Sequence, residues 1–296
     1  MISIYTHSNN PFTKEFWKSS IKRLAGRYSG PDAVRDSLCR GLTQHTIPFT
    51  LNPHQPSETT MVLSGTSALR FAIQQKRNGK IHTLIAGPNI LALPKEKGDV
   101  MLQEEIDSIL VPSHWVAELW KREAPEIATK IRVWPAGIAP ATASTRSGKP
   151  IIYDKVGNKK LLDEVRHAMG DEVRVFTYGS FSRDIYLDAL TDAPYMVYLS
   201  HSESQGLALF EAWTRDVPTL VNISTTWSDK EKSFTAKNIN APYLNESLGR
   251  FFTDQAELAT LIEQVPHISP KPYCDTHFSD SASTEMLLSI IHEKAH

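Results

Sequence analysis

Strand and helix signals alternate twice along this chain of 296 residues, and the two runs are separated by a stretch that suits neither. In the first run, Ile2–Thr6 reads as a strand. A helix follows Gly30-Pro31 with Ala33, Val34, Leu38 and Leu42 on one face. Met61–Leu63 is the next strand, Ser67–Lys76 a helix, His82–Ala86 a strand ended by Gly87-Pro88, and Ser108–Val111 another. A helix over His114–Arg122 and a strand over Ile131–Trp134 close this half. The second run begins at Ile151–Tyr153. It continues with helix Lys160–Met169, strand Val173–Thr177, helix Arg183–Leu190, strand Tyr195–Leu199, helix Leu207–Thr214 and strand Thr219–Ile223. Helix signals return at Asp254–Gln264 and Ser283–Lys294. Short apolar runs spaced by helical periodicity predict a parallel sheet with helices on both faces. Pro135 to Pro150, rich in Ala, Ser, Gly and Pro, breaks the pattern as a linker does.

The fold class expected is therefore α/β, with two doubly wound, Rossmann-like domains facing across a cleft. The boundaries are 1–137 for the first domain, 138–149 for the linker and 150–280 for the second domain. A C-terminal helix over 281–296 would pack back on the first. Each domain is long enough to bury its own core.

Composition excludes several function classes. The formal charge of −1 argues against bulk electrostatic binding of nucleic acid. Cys39 and Cys274 form neither a metal-type CxxC cluster nor a disulfide framework. No apolar run reaches the roughly 18 residues of a membrane-spanning helix, and Met1–His7 lacks the basic and apolar regions of a signal peptide. A cytoplasmic location is expected, with peripheral contact to a membrane left open. Gly-x-Ser-x-Gly and P-loop patterns are absent.

Ligands of doubly wound sheets lie beyond the C-terminal ends of the strands. That rule nominates the loops after His7, Gly65, Asn89 and Ser113-His114 in the first domain. In the second it nominates those at Asp154-Lys155, Tyr178–Ser180, Ser200–Gly206 and Asn222–Thr226. One of them carries two carboxylates eight positions apart, in Ser200-His-Ser-Glu-Ser-Gln-Gly-Leu-Ala-Leu-Phe-Glu-Ala-Trp213. Glu203 falls in a strand-to-helix turn and Glu211 about one turn into the helix. Gly206 permits close approach of a ligand to the backbone. The amides of Ser204–Leu207 are available to an anion at the helix start.

Pro194–Val221 resembles the donor-binding segment of retaining, GT-B-fold glycosyltransferases of family 4. The features carrying the resemblance are a strand ending at Ser200, Glu-x7-Glu at Glu203 and Glu211, and Asp216-Val-Pro218-Thr-Leu-Val221. Ile109–Trp115 and Ile131–Ile138 match the family loosely in order and spacing. Where relatives carry Gly-Arg…Lys-Gly, this chain has Tyr153-Asp-Lys-Val-Gly-Asn-Lys-Lys160. It also has Ala86-Gly-Pro-Asn89 where many have a histidine.

The resemblance implies a GT-B fold and transfer of a sugar from a nucleoside-diphosphate sugar to a hydroxyl acceptor, with retention and without a metal or other cofactor. Glu211 would accept hydrogen bonds from the ribose hydroxyls. Glu203 would lie nearer the transferred sugar. Lys155, Lys160, Lys159 and Arg183 are the candidates to offset charge on the departing diphosphate. Tyr178 would border the base, with Ser204, Gly206 and Leu207 against phosphate or sugar. His7 and Asn89 would face the acceptor, and Ser113 reads as a helix cap. Two other readings stay open: a binding or regulatory protein on the same fold, and a nucleotide-sugar epimerase.

Overall fold

The structure, a computed structural model, describes residues 1–8, 28–229 and 232–293. The chain divides into two compact units, Met1–Gly137 with Asp280–His296, and Ile138–Ser279.

The first unit is built from β1 (Ile2–Tyr5), α1 (Gly30–Gln44), β2 (Phe49–Leu51), β3 (Thr59–Ser64), α2 (Thr66–Arg77), β4 (Thr83–Asn89), β5 (Ser108–Val111), α3 (His114–Glu123) and β6 (Ile131–Val133). Its six strands are parallel, in the order β2-β1-β3-β4-β5-β6. Strand order reverses between β1 and β3, which makes that edge the crevice of the sheet. Helix α1 starts where Asp32 accepts the Ser29 backbone N–H at 2.9 Å, and it buries Val34, Leu38 and Leu42. β4 does not stop at Gly87-Pro88 as the sequence led us to expect: it runs on to Asn89. Gly87 makes this extension possible, because a Cβ there would stand 2.2 Å from the Leu110 carbonyl oxygen of β5.

The second unit holds β7 (Ile151–Asp154), α4 (Lys159–Met169), β8 (Arg174–Thr177), α5 (Arg183–Ala189), β9 (Met196–Leu199), α6 (Leu207–Trp213), β10 (Thr219–Asn222), the ribbon β11 (Thr226–Asp229) and β12 (Lys232–Thr235), β13 (Gly249–Phe252), α7 (Gln255–Gln264) and α8 (Lys271–His277). Five strands form a parallel sheet in the order β13-β10-β9-β7-β8. Alternate residues feed two cores. Ile151, Tyr153, Met196 and Tyr198 join Phe210 and Trp213 on one face. Ile152, Val197 and Leu199 join Val165 and Leu258 on the other. Burial on both faces explains why β7 and β9 are apolar runs rather than alternating ones. Residues 138–149 lie along this unit, with Ser144, Thr145 and Gly148 N–H donating to Arg215, Thr191 and Asp192 carbonyls at 2.6, 3.0 and 2.8 Å.

The last helix, α9 (Asp280–His292), belongs to the first unit. Lys294, the expected end of this helix, lies outside the described residues. Asp280, buried, receives Arg40 Nε and Nη2 at 2.6 and 3.2 Å, and Trp134 Nε1 donates to the Ser283 carbonyl at 2.9 Å. Leu287 and Ile290 join Leu38 and Leu42 in the core, each worth roughly 1.5–3 kcal/mol of burial.

Candidate functional site

In the second unit the order of strands reverses between β7 and β9, which are hydrogen-bonded neighbours. The backbone beyond these strands stays in step: Lys155 N–H donates to the Leu199 carbonyl and Tyr178 N–H to the Asp154 carbonyl, both at 2.8 Å. The exits of β7, β8 and β9 therefore bring Lys155, Tyr178 and Ser200 to one edge. Asp154, buried, fixes the first exit by accepting the N–H groups of Val156 and Gly157 at 2.9 and 3.0 Å.

Glu203 is the centre of this edge. Its Oε1 accepts the Tyr198 hydroxyl at 2.6 Å, the Ser200 hydroxyl at 3.1 Å and the ammonium of Lys155. Charge-assisted bonds of this kind are about twice as strong as neutral ones. Lys155 Nζ also stands 4.7 Å from the centroid of the Tyr178 ring, which is exposed. Burial, and then the nearby Glu203 carboxylate, pushes the Tyr198 phenol well above its ordinary value, so it acts as a donor.

Glu211 sits on α6 with 7% of its surface exposed, and its Oε1 accepts Arg183 Nε at 2.6 Å from the first residue of α5. Burial pushes its carboxyl up from the ordinary value, and Arg183 draws it back only in part. Gly206 caps α6 at φ +89°, the left-handed region, with Leu207 half-buried after it and Ser204 exposed before it. α6 has seven residues, so positive charge at this edge comes from side chains rather than from a long helix dipole.

Lys160 is not brought into the group: on the first turn of α4 it is 86% exposed and stands 3.8 Å from Glu164. Lys159 opens the same helix. His7 and Asn89 belong to the first unit, two residues past β1 and at the end of β4. His7 Nδ1 is 3.0 Å from Thr6 Oγ1. Asn89 Nδ2 and Ser113 Oγ are buried with no hydrogen-bond partner; Ser113 holds the N-cap position of α3, as the sequence led us to expect, but its hydroxyl makes no capping bond.

Sequence reasoning missed the groups that hold the turn. Asn222 clasps Ser200 in both directions, accepting its N–H at 2.9 Å and donating to its carbonyl at 3.2 Å. Asn240, fully buried, donates to the carbonyls of Ser200 and Asn222 at 3.0 and 2.6 Å. Glu203 N–H donates to the Ile239 carbonyl at 2.9 Å. Among the described residues, no three His, Cys, Asp or Glu side chains group as a metal site, and no helix is long and apolar enough to cross a membrane.

Neither a family model nor a curated protein matches the sequence. Solved structures match the fold. The structure of Anabaena HepE in complex with UDP and glucose aligns over 99% of both chains with a TM-score of 0.60 at 11% identity. The apo form of the lipopolysaccharide outer core galactosyltransferase WaaB aligns over 99% of both chains, with a TM-score of 0.58 at 11% identity. The likeness is one of fold, and it defines the class: an α/β chain of the GT-B type, with two Rossmann-like domains, shared with glycosyltransferases.

Proposed function

We propose that this protein transfers a sugar from a nucleoside-diphosphate sugar to a hydroxyl acceptor (glycan, lipid or small molecule), with retention at the anomeric carbon. The observation that carries the proposal is the pairing of Lys155 with Glu203 at the strand-order reversal of a GT-B-type sheet, followed on the next helix by buried Glu211. A relative in fold holds UDP and glucose, which makes a UDP-sugar the first donor to try.

On this reading Glu211 accepts the ribose hydroxyls and Arg183 keeps its carboxylate in place. Glu203 meets the sugar. Lys155 offsets the charge growing on the diphosphate as the glycosidic bond breaks, in place of a metal ion. Tyr178 borders the base, and Gly206 and Leu207 let the backbone close on the donor. The departing diphosphate oxygen takes the acceptor proton on the same face, so no side-chain base is required. His7 and Asn89 serve the acceptor.

The test is release of nucleoside diphosphate from UDP-, GDP- and ADP-glucose with a panel of hydroxyl acceptors, with product configuration read by NMR. The proposal expects acceptor-dependent release and a product of the donor's own anomeric configuration. Inversion would overturn the stereochemical part. Binding without turnover across the panel would leave a donor-binding protein, and an altered nucleotide-sugar formed without acceptor would indicate an epimerase.

A further inference from the structure

We propose that Tyr198 is a positioning residue for Glu203, setting where that carboxylate stands at the sheet edge. The proposal rests on the donor-site role of Glu203 given above. All four residues of β9 are buried, so packing alone asks for an apolar side chain at this position. A phenylalanine would meet that demand without placing a hydroxyl in a dry core, where an unpaired polar group is destabilising. The hydroxyl of Tyr198 reaches Glu203 Oε1 at 2.6 Å.

The ring has no latitude. Tyr198 lies opposite Tyr153 in the β7–β9 register, and the two rings stack with centroids 5.2 Å apart and planes at 28°. Tyr186 meets Tyr153 edge-on at 5.0 Å. Of the three donors on Oε1, Lys155 hangs on a flexible stem and Ser200 sits in the turn itself. Tyr198 alone among these three donates from inside the sheet. Its hydroxyl is thus a fixed point from which the carboxylate is hung, while Lys155 contributes charge.

The test uses Tyr198→Phe, Glu203→Ala and the double variant in the full chain, with UDP-, GDP- and ADP-glucose as donors. Tyr198→Phe is expected to stay folded by near-UV circular dichroism. Its kcat should fall about 10- to 100-fold, as misplacement of a reacting group does, with the donor KM within about twofold. Glu203→Ala strands the buried hydroxyl and should lower Tm by about 3–8 °C. In the Tyr198→Phe background the same change should cost less than half as much. Equal Tm losses in both backgrounds, or a Tyr198→Phe enzyme with wild-type kcat, would overturn the proposal. A wild type that turns over none of the donors, with the Tm coupling intact, sinks the transferase reading and upholds the Tyr198–Glu203 bond.

Discussion

The C-terminal strand edges of the two sheets have been finished in different ways. In the second unit, Lys155, Tyr198 and Ser200 converge on Glu203, and Arg183 engages Glu211. In the first unit, Asn89 Nδ2 and Ser113 Oγ are buried without a hydrogen-bond partner. An edge whose charged groups are already paired is preorganised for a charged ligand, because little must rearrange when the ligand arrives, although Asn240 Oδ1 behind this turn is also buried without a hydrogen-bond partner. An edge with buried polar atoms still unpaired carries about 1–3 kcal/mol of cost for each, which a bound hydroxyl would remove. On the proposed function the first kind of edge suits the donor and the second the acceptor.

The contrast is broken most directly at Lys155. Lys155→Ala should lower turnover about 100- to 1,000-fold, the usual effect of removing one group that stabilises developing charge, with partial rescue by Lys155→Arg. Steady-state kinetics reads both. Lys160→Ala, on the first turn of α4, should change turnover less than about twofold and stability by no more than about 0.5 kcal/mol, since its partner is an exposed neighbour on the helix. Equal effects at the two lysines would erase the distinction between them.

Next in size is the clasp behind the turn. Asn240→Ala leaves the Ser200 and Asn222 carbonyls without its amide, and should cost about 1–3 kcal/mol in urea unfolding. Ser113→Ala in the first unit should go the other way. Removing a buried hydroxyl with no partner leaves stability unchanged or raises it by up to about 1 kcal/mol, while the KM for the acceptor rises. A destabilised Ser113→Ala protein would show that this hydroxyl is paired after all.

A smaller effect comes from pH. The Glu211 carboxyl is raised from its ordinary 4.5 by burial, with Arg183 opposing. Its contribution to stability is therefore fully present below the unfolded value and is lost as pH rises through the folded one. Glu211→Gln should gain stability relative to wild type as pH rises above 4.5. Paired unfolding curves at several pH values check the slope, and a slope of opposite sign would contradict the burial argument.

Much of this was legible in the chain because local chemistry and tertiary demand agreed. Met196-Val-Tyr-Leu199 is a strand buried on both faces and looks like one. The expected Glu-x7-Glu segment contains both the turn and the helix that follows. Other elements hid for physical reasons. β13 opens on Gly249, where only glycine fits because a Cβ would lie 1.9 Å from the Thr219 carbonyl oxygen. The ribbon β11–β12, Thr-Trp-Ser-Asp and Lys-Ser-Phe-Thr, is largely polar and exposed and reads as loop. β2 has three residues. At the site, the choice between Lys155 and Lys160 depends on the Asp154 turn that aims the chain after β7. Asn240 reaches Ser200 across 40 residues, with no local pattern to announce it. Tyr198 lay unremarked inside the expected strand Tyr195–Leu199, because its ring is core and only its hydroxyl belongs to the site.

The claim that the second unit's edge is a donor site is tested most directly at Glu211, the buried carboxylate that follows the Lys155–Glu203 pair. A thermal-shift titration of wild type and Glu211→Gln with UDP-, GDP- and ADP-glucose tests it, since a ligand that binds the native state raises Tm. The account predicts a concentration-dependent rise in wild type with at least one donor, and its loss in Glu211→Gln at an unreduced starting Tm. Equal shifts in the two proteins, or no shift with any donor, would contradict it.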